Sequence, residues 1–162
     1  MTDRISGSSK RAPGLVRESR FRTLDVARLG VERAKRWLAE AQDAGRAGRY
    51  DNAVYCAQMA VEQAAKALLI AAGIGYPREH DVSDEFARLA DRLDVPAWFR
   101  SMVGEFCGVI AELARVRGAA GYGYEMGFSA GYFRDYAPSA ISMAKKFVVS
   151  CRRVLEEARR SQ

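Results

Sequence analysis

The chain holds a single histidine, three cysteines and four prolines in 162 residues, and none of its apolar runs approaches the roughly 20 residues that cross a bilayer. Each shortage excludes something. Cys56, Cys107 and Cys151 stand far apart with no CxxC and no zinc spacing, so neither a disulfide framework nor a zinc site is expected. With His80 alone, a transition-metal centre would have to rest on carboxylates, and no metal or other cofactor is expected. The longest apolar stretches, such as residues 64–72, are too short to span a membrane, and the first residues carry no apolar signal core. A cytoplasmic protein without membrane association is the expectation. Strand patterns, low-complexity tracts and internal repeats are also missing.

What is present is the composition of one globular domain, 49% hydrophobic and 28% charged, able to bury a core without staples. The net charge of +6 is unevenly placed. Residues 1–22 hold six Lys/Arg against Asp3 and Glu18, and residues 145–162 hold six against Glu156 and Glu157, which leaves the middle slightly acidic. Two basic ends suit an anionic partner such as RNA, or serve as solvated, solubilising ends.

Residues 1–22 mix Ser, Gly, Pro and Arg without a sustained period, and they are read as a basic N-terminal tail or arm. The rest, 23–162, reads as an all-α up-and-down bundle of about five helices. From about Thr23, the residues Leu24, Ala27, Val31, Ala34, Leu38 and Ala41 recur every three or four positions, predicting a helix that ends near Ala47. Asp51 is the expected N-cap of a second helix with an alanine stripe from Ala53 to Ala71, closed by "AAGIGYP". Glu62 and Lys66 form an i,i+4 pair on its more polar face. A short third helix is expected behind Asp81, with Asp84 and Glu85 at its positive end. Asp94 and Pro96 introduce a long fourth helix running to Arg117, after which glycines 118, 121, 123, 127 and 131 predict a flexible connection. The last helix runs from about Asp135 to Arg160, with Pro138 in its first turn.

The end of the fourth helix, "RVRGAAGYGYE", poses the chemical question. At 100° per residue Phe106, Ile110 and Leu113 share a sector of about 60°, and Arg117 falls inside it while Arg115 points away. A guanidinium on a buried stripe must pair with a carboxylate of another helix, snorkel to the helix end, or face a cleft. Tyr122 and Tyr124 follow closely, and Gly121 and Gly123 would let backbone approach a ligand. Arginine beside aromatic rings suits phosphate and base contacts.

With those residues the chain resembles the HEPN family (higher eukaryotes and prokaryotes nucleotide-binding) over about residues 30–158. "WLAEAQDAGRAGRYDNAVYCAQMAVEQAAKALLIAAGI" is similar to the family's first two helices, "EHDV" to its histidine-containing segment, and "ISMAKKFVVSCRRVLE" to its last helix. The resemblance implies a small helical bundle, often a homodimer. Catalytic members end the corresponding helix in RxxxxHxY, and two such motifs meet across the dimer as a metal-independent ribonuclease. Here Arg117 matches the arginine, Tyr122 stands at the histidine position and Tyr124 matches the last tyrosine. Gly118 replaces the polar residue that usually follows the arginine. In toxin–antitoxin members an MNT-type nucleotidyltransferase partner attaches AMP to that last tyrosine, which nominates Tyr124 as the acceptor.

Cleavage through a 2′-hydroxyl needs a proton acceptor and donor near neutrality. Histidine, with a pKa of about 6.5, serves as either; tyrosine, at about 10, is phenolate in only about one part in a thousand at pH 7. His80, beside Asp81 at a helix entrance, is read as structural. Three readings follow, of which the first is preferred. The first is a homodimeric module binding RNA or nucleotide at Arg117, Tyr122 and Tyr124, associated with a nucleotidyltransferase. The second is a metal-independent ribonuclease or toxin with Arg117 and Tyr122 as its atypical catalytic pair. The third is a structural helical interaction protein.

Overall fold

A computed structural model describes the backbone of residues 13–161 and the side chains of residues 23–161. Six α-helices follow in order: α1 (Pro13–Arg46), α2 (Tyr50–Ala72), α3 (Ser83–Ala87), α4 (Ala97–Arg100), α5 (Val103–Tyr122) and α6 (Ala137–Arg160). Short 3₁₀ turns cover Arg88–Asp91, Gly123–Met126 and Ala130–Phe133, and no strand occurs among the described residues. The first residues of the expected basic arm, 1–12, lie outside the described residues. From Pro13 the backbone is already helical, ahead of the expected start at Thr23.

The long helices α1, α2, α5 and α6 form the bundle, and α2 is its centre, packing against the other three. Its composition explains that position. Ala53, Ala57, Ala60, Ala64, Ala65 and Ala67 are all buried, and such small residues let neighbouring helices come close. Gly30 of α1 shows how close, since a Cβ there would stand 2.9 Å from the Cβ of Ala67. Farther along, Phe86, Phe99, Phe106 and Phe147 interlock with ring centroids 4.7 to 6.1 Å apart, joining α3, α4, α5 and α6 in one apolar core. Trp98 fastens α4 to α6, donating to Glu157 Oε2 at 3.1 Å beneath the Arg153 guanidinium. The three thiols are free, and burial pushes each one up from its ordinary pKa. No described helix is long and apolar enough to cross a membrane.

Several boundaries differ from expectation, each for a physical reason. Asp51 is not a cap: Arg49 precedes α2, and the Asp51 carboxylate accepts from the Asn52 amide inside the first turn. At the other end Gly73 adopts φ 69°, and Arg92 donates to the free carbonyl of Ala72 at 2.9 Å. The single long fourth helix is two helices. Met102 N–H bonds back to Phe99 rather than to Trp98, and the Trp98 carbonyl accepts from the Ser101 hydroxyl instead. Most consequential, α5 does not finish at Arg117 but continues through Gly118 and Gly121 to Tyr122. The helical cost of two glycines is about 2 kcal/mol, and packing of Ala120 and Gly121 against α2 overrides it.

Candidate functional site

Arg117 lies on the inner side of α5 and is half-buried, while Arg115 is exposed. The helical phase read from Phe106, Ile110 and Leu113 thus places both. The partners of Arg117 all come from α2. Its Nε donates to Gln58 Oε1 at 3.0 Å, its Nη2 donates to the Tyr55 hydroxyl at 2.8 Å, and the Met59 sulfur lies 3.9 Å from Nη2. The guanidinium also stands over the Tyr55 ring, 4.8 Å from its centroid. Among the described residues no carboxylate pairs with it.

Behind this cradle lies a second layer. The Gln58 amide donates to Glu62 Oε2 at 2.7 Å, and Glu62 also takes Lys66 Nζ at 2.8 Å and His80 Nδ1 at 3.1 Å. A carboxylate can only accept, so Glu62 claims the amide nitrogen of Gln58 and turns its oxygen toward Arg117. The orientation of Arg117 is therefore set through Gln58 by a buried acid. Burial alone would raise the Glu62 pKa, but hydrogen bonds from Lys66, Gln58 and His80 and the Lys66 charge outweigh it and hold the carboxyl below its ordinary 4.5. The Glu62–Lys66 pair was expected on a polar face; Glu62 is instead buried, because it serves the interior network. His80 is spent on Glu62, in keeping with a structural role.

The tyrosines are placed differently. Tyr122 is the last residue of α5, about 140° round the helix from Arg117, and it is 57% exposed. Tyr124 lies in the following 3₁₀ turn and is 70% exposed. Neither hydroxyl bonds to another described residue, and no hydrogen bond or ring contact within the chain joins either tyrosine to Arg117. The glycines flanking Tyr122 approach protein rings. A Cβ at Gly121 would meet the Tyr55 ring at 3.1 Å, and one at Gly123 would meet the Phe128 ring at 3.0 Å. The expected flexible connection is instead two 3₁₀ turns joined at Gly127, whose φ is 83°. Tyr136 closes the segment, donating to Glu112 at 3.2 Å, with burial and the Glu112 charge pushing its pKa up to about 12.

Tyr55, Gln58 and Met59 were not singled out as site residues. One signal was available: Gln58 falls in phase with Val54 and Val61, a polar amide on a buried stripe, and such a group needs a partner. Chemically, the arrangement is a preset cation with two neutral anchors, beside a segment rich in exposed aromatic rings.

The comparisons bear on this geometry. A family model described as the HEPN domain matches residues 27–155, a span that includes Tyr55, Gln58, Glu62, His80, Arg117, Tyr122 and Tyr124. No curated protein and no solved structure matched the chain.

Proposed function

The chain belongs to the HEPN domain family, and from that premise we propose that it is a homodimeric binding module that takes a phosphate of RNA or of a nucleotide on Arg117. One observation carries the reading. The guanidinium is oriented by the neutral groups Gln58 and Tyr55 and keeps its whole charge, with Nη1 unengaged among the described residues. An arginine consumed by a carboxylate would offer a phosphate little; one held this way is preorganised for it. Tyr122 and Tyr124, exposed in the segment that follows it, supply rings and hydroxyls. Tyr124 is also the residue that an MNT-type nucleotidyltransferase partner would modify, its hydroxyl being open to solvent. Basic residues toward both ends of the chain add phosphate contacts.

The test is binding of a labelled RNA across a salt series. Arg117→Ala is expected to weaken it by about tenfold or more and to lower the salt slope by about one. Unchanged affinity and slope would remove Arg117 from the site. The same RNA incubated with wild-type protein and a chelator is expected to stay intact. Cleavage that Arg117→Ala abolishes would replace the binding reading with a metal-independent ribonuclease. Recovery of a nucleotidyltransferase with tagged protein from native cells tests the partner.

A further inference from the structure

The segment that follows Arg117 holds an aromatic stack that the phosphate reading leaves unused. Phe128 and Tyr132 lie face to face, with centroids 4.3 Å apart and planes 3° from parallel. Tyr132 also meets the buried Phe133 in a T-shaped contact at 5.1 Å. It is nevertheless 63% exposed.

The stack is rigidly founded. Phe128 seats against the Cα of Gly123, where no side chain larger than hydrogen fits without displacing it. Phe128 N–H bonds to the Gly123 carbonyl at 2.9 Å, and Tyr132 N–H bonds to the Ser129 carbonyl at 3.1 Å. The ring is held in place before any ligand arrives, so little side-chain entropy remains to be lost on binding. Contacts also connect it to Arg117. Arg117 bonds to Tyr55, Tyr55 packs against Gly121, and Gly123, next but one along the chain, carries Phe128 and hence Tyr132.

We infer that the outward face of Tyr132, backed by Phe128, is a stacking site for an unpaired base of RNA whose phosphate is held by Arg117. This rests on the phosphate reading above and names its ligand as single-stranded. An exposed parallel pair continues naturally into a third ring, and every base offers a π-face while a base inside a duplex does not. The surroundings favour a nucleotide over an apolar protein surface. Glu125, Ser129, Arg134 and Asp135 are exposed in the same segment as the rings, interleaved with the exposed Tyr124, Met126 and Tyr132. The net charge of +6 favours a polyanion.

The experiment measures affinity of the full chain for a labelled single-stranded oligoadenylate and for a blunt RNA duplex across a salt series. Tyr132→Leu is expected to weaken the single strand by about tenfold, leaving duplex affinity and the salt slope unchanged, since stacking releases no counterions. Tyr132→Trp is expected to restore or tighten single-strand binding, which a merely folded-state defect would not allow. If Tyr132→Leu binds the single strand like wild type while Arg117→Ala is weakened, the stacking site is overturned and the phosphate site stands. If neither variant changes affinity, the phosphate reading fails as well. Equal weakening of strand and duplex by Tyr132→Leu, or loss of self-association in its place, would also overturn the stacking site.

Discussion

Arg117 and Tyr122 lie little more than one turn apart on the same helix, yet one is fastened by three side chains of α2 and the other is 57% exposed. The difference follows from what each would lose. A charge turned toward the interior must be solvated by the protein, and α2 supplies an amide oxygen, a hydroxyl and an aromatic face for it. A phenol at a helix end keeps its water and needs nothing. The lesson concerns the division of labour: the guanidinium is oriented in advance by α2, whereas the tyrosine hydroxyls bond to no described residue.

Substitutions at four positions would break or sharpen this contrast. The largest effect belongs to Glu62→Ala, which strips an acceptor from Gln58, Lys66 and His80 at once and should destabilise the fold by about 2–3 kcal/mol in denaturant unfolding. Its pH dependence has a definite sign. Because the folded pKa of Glu62 lies below 4.5, its contribution is complete above the unfolded value and is lost as pH falls through the folded one. The stability gap between wild type and Glu62→Gln should therefore shrink in acid below about pH 4. A gap that stays constant there would mean the carboxylate is not what organises the network.

Next comes Gln58→Leu, of similar size, which removes the bridge between Glu62 and Arg117. A loss of about 1–2 kcal/mol is expected together with several-fold weaker RNA binding, since Arg117 loses its Nε anchor. Wild-type binding by a folded Gln58→Leu protein would show that Arg117 needs no positioning. Gly121→Ala tests the same anchor from the other side. Its gain in helix propensity, about 1 kcal/mol, offsets the collision with the Tyr55 ring. Melting should move little while RNA affinity falls by about threefold as Tyr55 shifts from Arg117; unaltered affinity would show that the Tyr55 contact is dispensable. Smallest is Tyr122→Phe, expected to change stability by less than about 0.5 kcal/mol because its hydroxyl bonds to no described residue. A larger loss in a thermal melt would reveal a contact made outside the single chain.

Much of the fold was legible because helical periodicity is a local property. Leu24 to Ala41, the alanine stripe of α2 and Phe106 to Leu113 each declared their helix and its inner face, and the glycine after Ala72 marked a stop that the backbone takes at Gly73. Less legible was the end of α5, where glycines read as a break and packing against Tyr55 carried the helix onward. The division at Ser101 and Met102 left no sequence mark, since both residues are tolerated in helices and the break is made by hydrogen bonding at Trp98 and Phe99. At the site, the inward turn of Arg117 could be read from spacing; its partners could not.

The sequence by itself determined that this chain is a helical bundle and that Arg117 and not Arg115 faces inward, because both follow from 100° steps, and its residue order places 27–155 in the HEPN domain family. The tertiary structure alone decided that Arg117 meets Gln58 and Tyr55 and, among the described residues, no acid, and that Glu62 stands behind them. The reason is physical. Which residues of two helices face each other depends on their crossing and axial register, and these are settled by how closely the alanines and glycines let the helices approach.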